Sequence, residues 1–299
     1  MGSFNFTKWN KITGWLVFAI ALTTYWLTVE PTASFWDAGE YITTASNLEV
    51  GHPPGAPLYQ LLGAFFSIFA AEASQIALTI NLMSVFASAF TILFMFWSLT
   101  ILLTNLVSKH NEIEKTGAIA IIGSAAVGSL AFAFTDSFWF NAVEAEVYAS
   151  AAFLMSVLFY TALRWEREML EPRGNRWVIL IAFIVGLSFG VHFMALLTIP
   201  AIGFLYFFKH YKTVTVKNFI IANIVTVAIL LFIFKLLLPM TMKFFSASEL
   251  FFVNTIGLPF NSGTIFAALL FIVLFVYGLR ATRKKGFVQL NTLLLCVLF

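Results

Sequence analysis

The chain has 299 residues, 61% hydrophobic and 10% charged, with a net charge of +3 and a mean hydropathy of +0.92. A soluble domain carries roughly 25% charged residues, so a water-surrounded globule is excluded and a membrane protein is expected. The single cysteine, Cys296, excludes a disulfide framework and a multi-cysteine zinc site.

Crossing ~30 Å of hydrocarbon takes about 20 apolar residues in a helix. The first such segment is 12–29, read as a retained span because no small-residue cleavage site follows it. Just beyond it, FWDAGE (35–40) sets Asp37 and Glu40 three apart, on one face of a helix that begins around 34–37. As N-cap and N3 residues they match a capping box. They also sit at a membrane boundary, between Trp36 and Tyr41, where ionised groups are costly unless paired or used. GHPPGAPLY (51–59) then packs prolines and glycines into a stiff turn that presents His52. Residues 57–71 cover about 22 Å as a helix, too little to cross, and predict an interfacial or re-entrant helix.

Spans follow at 76–107, 117–135 and 148–163. Between the last two, residues 135–148 carry Asn141, Glu144, Glu146 and Tyr148. On a continuous helix Asn141, Glu144 and Tyr148 share a stripe and Glu146 faces elsewhere. One glutamate is therefore expected in solvent and the other turned inward, Glu144 ahead of Glu146. Trp139 and Tyr148 suit a membrane interface. Residues 177–208 read as a tight hairpin turned near 190–192, with arms of about 22 Å that leave His192 at membrane depth inside protein. Spans at 218–238 and 264–279 come next. A last apolar stretch runs from Phe287 to Phe299, too short to cross, and the chain is expected to be cut inside a helix.

The basic connections hold 15 of the 17 Lys and Arg: Lys8/Lys11, Lys109/Lys115, 164–176, 209–217 and 280–285. The positive-inside rule puts all of them in the cytoplasm. Regions 30–75, 136–147 and 239–263 then face the other side and contain nine of the 14 acids. Of the two remaining lysines, Lys235 snorkels and Lys243 lies outside, where it is able to meet a phosphate. The expected fold is all-α, a single polytopic transmembrane helical bundle over 1–299.

FWDAGEYITTASNLEVGHPPGAPLY, NAVEAEVYA and GLSFGVHFMALL together resemble the protein O-mannosyltransferase-like family of GT-C membrane glycosyltransferases. The resemblance implies a GT-C-like bundle with interfacial helices in its first external loop. It also implies a sugar donor carried on polyprenyl phosphate, mannose by family analogy, and a Ser or Thr hydroxyl of a protein as acceptor. Asp37 matches the family's acidic position after the first span. Desolvated by Phe35 and Trp36, it would act as general base in an inverting transfer, with Glu40 orienting acceptor or base. His52, Glu144, Glu146, Tyr148, His192 and Lys243 are the substrate-binding candidates, the histidines and Lys243 facing the leaving phosphate. A divalent cation near Asp37, Glu40 and Glu144 is compatible with these residues, but none is assigned as a metal ligand. Membrane lipid is a partner and nucleic acid is not. The expected location is a bacterial cytoplasmic membrane, with the active site facing outward. A lipid-linked sugar carrier or flippase is the competing class. It predicts internal repeats and ionisable groups in broken helices near mid-membrane; no repeat is found, and the acids gather in loops.

Overall fold

A computed structural model describes residues 4–107 and 114–299, and Lys109 of the second basic connection lies outside them. Helices α1 (Phe6–Leu27), α2 (Ala38–Ser46), α3 (Pro57–Ser67), α4 (Ile76–Val107), α5 (Lys115–Ala133), α6 (Asp136–Ala142) and α7 (Val147–Glu168) come first. They are followed by α8 (Asn175–Phe189), a 3-10 turn (Phe193–Thr198), α9 (Ile199–His210), α10 (Val216–Leu231), α11 (Leu238–Leu250), α12 (Ser262–Lys284) and α13 (Val288–Leu298). The fold is all-α, with no strand among the described residues.

Among the described residues, six helical segments are long and apolar enough to cross a membrane: Ala73–Val107, Lys115–Ala133, Val147–Glu168, Phe193–His210, Val216–Thr255 and Ser262–Lys284. The chain is thus an integral, multi-pass membrane protein. Helix α1 has 22 residues, but Lys8, Lys11 and a run of polar and aromatic residues at its end dilute its hydropathy. Its start is fixed by Asn5, whose Oδ1 accepts the Lys8 N–H at 2.9 Å. Residues 239–255, expected in an external region, continue the helix from α10 through α11, with π-helical turns at Phe232–Leu237 and Phe251–Thr255. Large apolar side chains such as Ile220, Ile224 and Val227 are exposed along α10, which suits a helix that meets lipid rather than water.

The chain forms two compact units: Met1–Arg164 with Ile184–Thr198, and Trp165–Phe183 with Ile199–Phe299. In the first, α1, α4 and α5 close around Val17, Ala21, Tyr25, Val85, Ala89 and Ala125. Without a water-driven force between helices in lipid, such small residues matter because they let backbones approach. The buried Tyr25 hydroxyl finds the Ala133 carbonyl at 2.9 Å. Helices α2 and α3 pack on α4 through Ile42, Ala45, Tyr59, Ile80 and Met83. They touch so closely at Gly63 that a Cβ there would stand 2.7 Å from that of Ala45. In the second unit, Lys209 reaches Glu166 at 2.9 Å. Glu249 accepts the Asn261 and Thr264 N–H groups at 2.6 and 2.8 Å, closing the start of α12.

Candidate functional site

Three stretches far apart in sequence meet in the first unit: 30–60, 143–148 and 190–194. The first is pinned along its length. Asn81 of α4 donates from Nδ2 to the carbonyls of Glu30 and Thr32, at 2.6 and 2.9 Å. The Glu30 N–H reaches the Val143 carbonyl at 3.0 Å. The Ser34 hydroxyl donates to Glu144 Oε2 at 2.5 Å. Trp36 then turns the chain with φ 61, a left-handed conformation that costs a bulky residue about 1 kcal/mol or more, and α2 starts at Ala38.

Asp37 stands at the N-cap of α2, yet its side chain makes no capping bond. Glu40 does not reach back to it either. Its Oε1 accepts the His52 N–H at 2.6 Å and its Oε2 faces His52 Nδ1 at 3.1 Å. The capping box suggested by the spacing is therefore not formed: the N3 carboxylate grips the Pro-rich loop instead. These bonds, the backbone one foremost, hold the Glu40 carboxyl below its usual range. Gly51 makes room for the grip, because a Cβ there would lie 3.2 Å from Glu40 Oε1. Phe35 and Trp36 are 81% and 86% exposed, and Asp37 is exposed beside them.

Asp37, Glu40 and His52 bring ligand atoms within 4.8 Å of one another, all exposed. They are the residues able to hold a cation, although both Glu40 oxygens are already engaged by His52.

The second stretch differs from the continuous helix expected of it. Helix α6 ends at Ala142, residues 143–146 turn, and α7 begins at Val147, so Asn141, Glu144 and Tyr148 share no stripe. Glu144 and Glu146 are both buried, at 3% and 6% exposure, rather than one inward and one solvated. Burial raises both carboxyls; the Ser34 bond partly offsets the rise at Glu144. Glu146 is pushed up to about 7 by burial and then by the charges of Glu144 and Asp37. The backbone N–H groups of Val147 and Asp37 point at Glu146 and temper the effect. Tyr41, with buried Tyr59 beside it at 5.1 Å between rings, has its hydroxyl raised by burial and then by Glu146.

A row of rings crosses the site. His52 lies 5.8 Å from Tyr41, and Tyr148 lies 5.4 Å from His192. His192 follows the break in the helix at Gly190, in the place where the sequence predicts a turn. The Gly190 carbonyl accepts the Leu58 and Tyr59 N–H groups at 2.7 and 3.1 Å, capping the start of α3 in place of a side chain. Lys243 is exposed on α11, in the second unit. Sequence reasoning missed Asn81, Ser34 and Tyr59. Asn81 carried a signal, as a polar residue in an apolar helix; Ser34 carried none.

Residues 37–215 match the family model described as the protein O-mannosyl-transferase TMEM260 N-terminal domain. Among curated proteins, the chain is 27% identical over 175 residues to the mouse protein O-mannosyl-transferase TMEM260, covering 58% of this chain and 22% of that protein. It is 28% identical over 197 residues to the Dictyostelium discoideum protein O-mannosyl-transferase tmem260, covering 62% of this chain and 22% of that protein. The chain thus matches about a fifth of the length of these relatives. No solved structure matches it.

Proposed function

Because the chain belongs to the protein O-mannosyl-transferase TMEM260 N-terminal domain family, we propose that it serves a membrane mannosyltransferase of the GT-C type. The donor is mannose on a polyprenyl phosphate, the acceptor is a Ser or Thr hydroxyl of a protein, and the site faces the non-cytoplasmic side. The observation that carries the reading is Asp37: an exposed carboxylate free of capping duty, beside the Glu40–His52 pair.

Asp37 takes the proton of the acceptor hydroxyl as that oxygen attacks the anomeric carbon. The new C–O bond forms on the face opposite the phosphate, the old one breaks, and the polyprenyl phosphate leaves with the electron pair. The sugar is inverted. Glu40, with both oxygens on His52, positions that histidine rather than the acceptor. The carboxylate that faces Nδ1 makes Nδ1 the donor, and in the neutral ring the lone pair is then on Nε2.

The test uses the full-length protein in vesicles supplied with polyprenyl-phosphate mannose and a Ser/Thr peptide. Asp37→Asn should lower transfer by about 10²–10⁴-fold at unchanged expression. Unchanged transfer removes Asp37 as the base, and mannose that crosses the bilayer unattached favours a carrier.

A further inference from the structure

The two histidines are held in opposite ways. At His52 a carboxylate faces Nδ1, which makes Nδ1 the donor. At His192 the Met194 N–H donates to Nδ1 at 3.2 Å, which makes Nδ1 the acceptor and leaves the proton of the neutral ring on Nε2. His192 therefore presents an N–H where His52 presents a lone pair. Beside it stands Tyr148, 47% exposed, with its ring 5.4 Å away and a hydroxyl that also donates. This edge of the site offers hydrogen-bond donors, and the Asp37 edge offers acceptors.

Its placement is fixed by backbone. The His192 and Val191 N–H groups bond the Ser188 carbonyl at 2.7 and 3.0 Å, closing the end of α8. Gly190 is seated on Leu58 and Tyr59, directly after the loop that carries His52. One Pro-rich connection thereby sets both histidines.

We infer that His192 Nε2–H and the Tyr148 hydroxyl form the subsite for the phosphoryl oxygens of the donor lipid. The inference rests on the transferase reading above and divides the work within it. Charge that develops on the leaving phosphate meets the donors of His192 and Tyr148, and the acceptor's proton goes to Asp37. An anion is repelled by the Asp37 and Glu40 side, whereas His192 and Tyr148 supply neutral donors; Glu146, two residues before Tyr148, is held towards its protonated form by burial.

The test measures binding of a short-chain polyprenyl phosphate, without sugar, to the full-length protein in detergent. His192→Ala and Tyr148→Phe should each weaken it about tenfold, the loss of one hydrogen bond to a charged group, and Asp37→Asn should leave it intact or tighten it. Equal affinity in both subsite variants overturns the inference. Phosphatidic acid that competes as strongly as polyprenyl phosphate overturns the assignment to the donor. Should His192→Ala fail to fold, ¹⁵N spectra of the histidine-labelled wild-type protein decide: a proton on Nε2 of His192 supports the subsite, and one on Nδ1 refutes it. The two readings separate cleanly. Phosphate binding that depends on His192 without any mannosyl transfer keeps the subsite and removes the reaction. Transfer lost in Asp37→Asn with phosphate binding indifferent to His192 does the reverse.

Discussion

Gly190→Ala probes the joint that aligns the site. A Cβ there would stand 2.6 Å from Leu58 Cβ and 3.3 Å from the Leu58 nitrogen. Carbon atoms rest at about 3.5–4.0 Å, so the first turn of α3 would have to retreat by roughly 1 Å. Overpacking of this kind costs about 1–3 kcal/mol. The retreat also stretches the bonds from Leu58 and Tyr59 to the Gly190 carbonyl, each contributing about 1 kcal/mol. We expect a destabilisation of about 2–4 kcal/mol in detergent unfolding, together with a loss of activity, because both histidines move. Gly123→Ala is the control: in the middle of α5, its added Cβ meets nothing within 4 Å and should stabilise the helix by about 0.5–1 kcal/mol. A neutral Gly190→Ala alongside the expected control would refute the seat of α3 on the helix break.

Glu146 makes stability depend on pH. Its carboxyl is raised from 4.5 to about 7, so the folded protein holds a proton that the unfolded chain releases between those values. The native state is favoured below pH 4.5 and loses up to roughly 3 kcal/mol as pH rises through 7. The melting temperature in detergent should fall between pH 5 and 8, and Glu146→Gln should flatten that fall; an equal slope in the variant removes the argument. Asn81→Ala deletes the donors to the Glu30 and Thr32 carbonyls, at a cost of about 1–3 kcal/mol. Amide exchange over 30–37 should accelerate in this variant while α5 stays protected, and unchanged exchange there would show that the clamp is not needed.

Most helices and the breaks at 51–57 and Gly190 were legible, because apolar length is a local property that glycine and proline interrupt; the helix through 239–255 and the turn at 143–146 were not. Nor were the seats of the acids. Three-residue spacing at Asp37 and Glu40 is the same whether Glu40 caps its own helix or holds a loop twelve residues on; only packing of α2 against α3 decides. Periodicity treated 141–148 as one helix, whereas a turn at 143–146 folds both glutamates inward. The burial of Glu144 depends on Ser34, a partner 110 positions away that no local pattern announces.

The clamp on residues 30–36 also dictates a schedule. Each group that grips this segment — Asn81, Val143 and Glu144 — is synthesised after it, and the break at Gly190 that seats α3 comes later still. At about 5–20 residues per second, this loop must wait roughly 5–30 seconds for its last anchor. Asp37 leaves the ribosome before every one of these anchors and reaches its working place only after them. Mutations that slow insertion of the later helices should therefore yield a protein that is present in the bilayer but not yet competent.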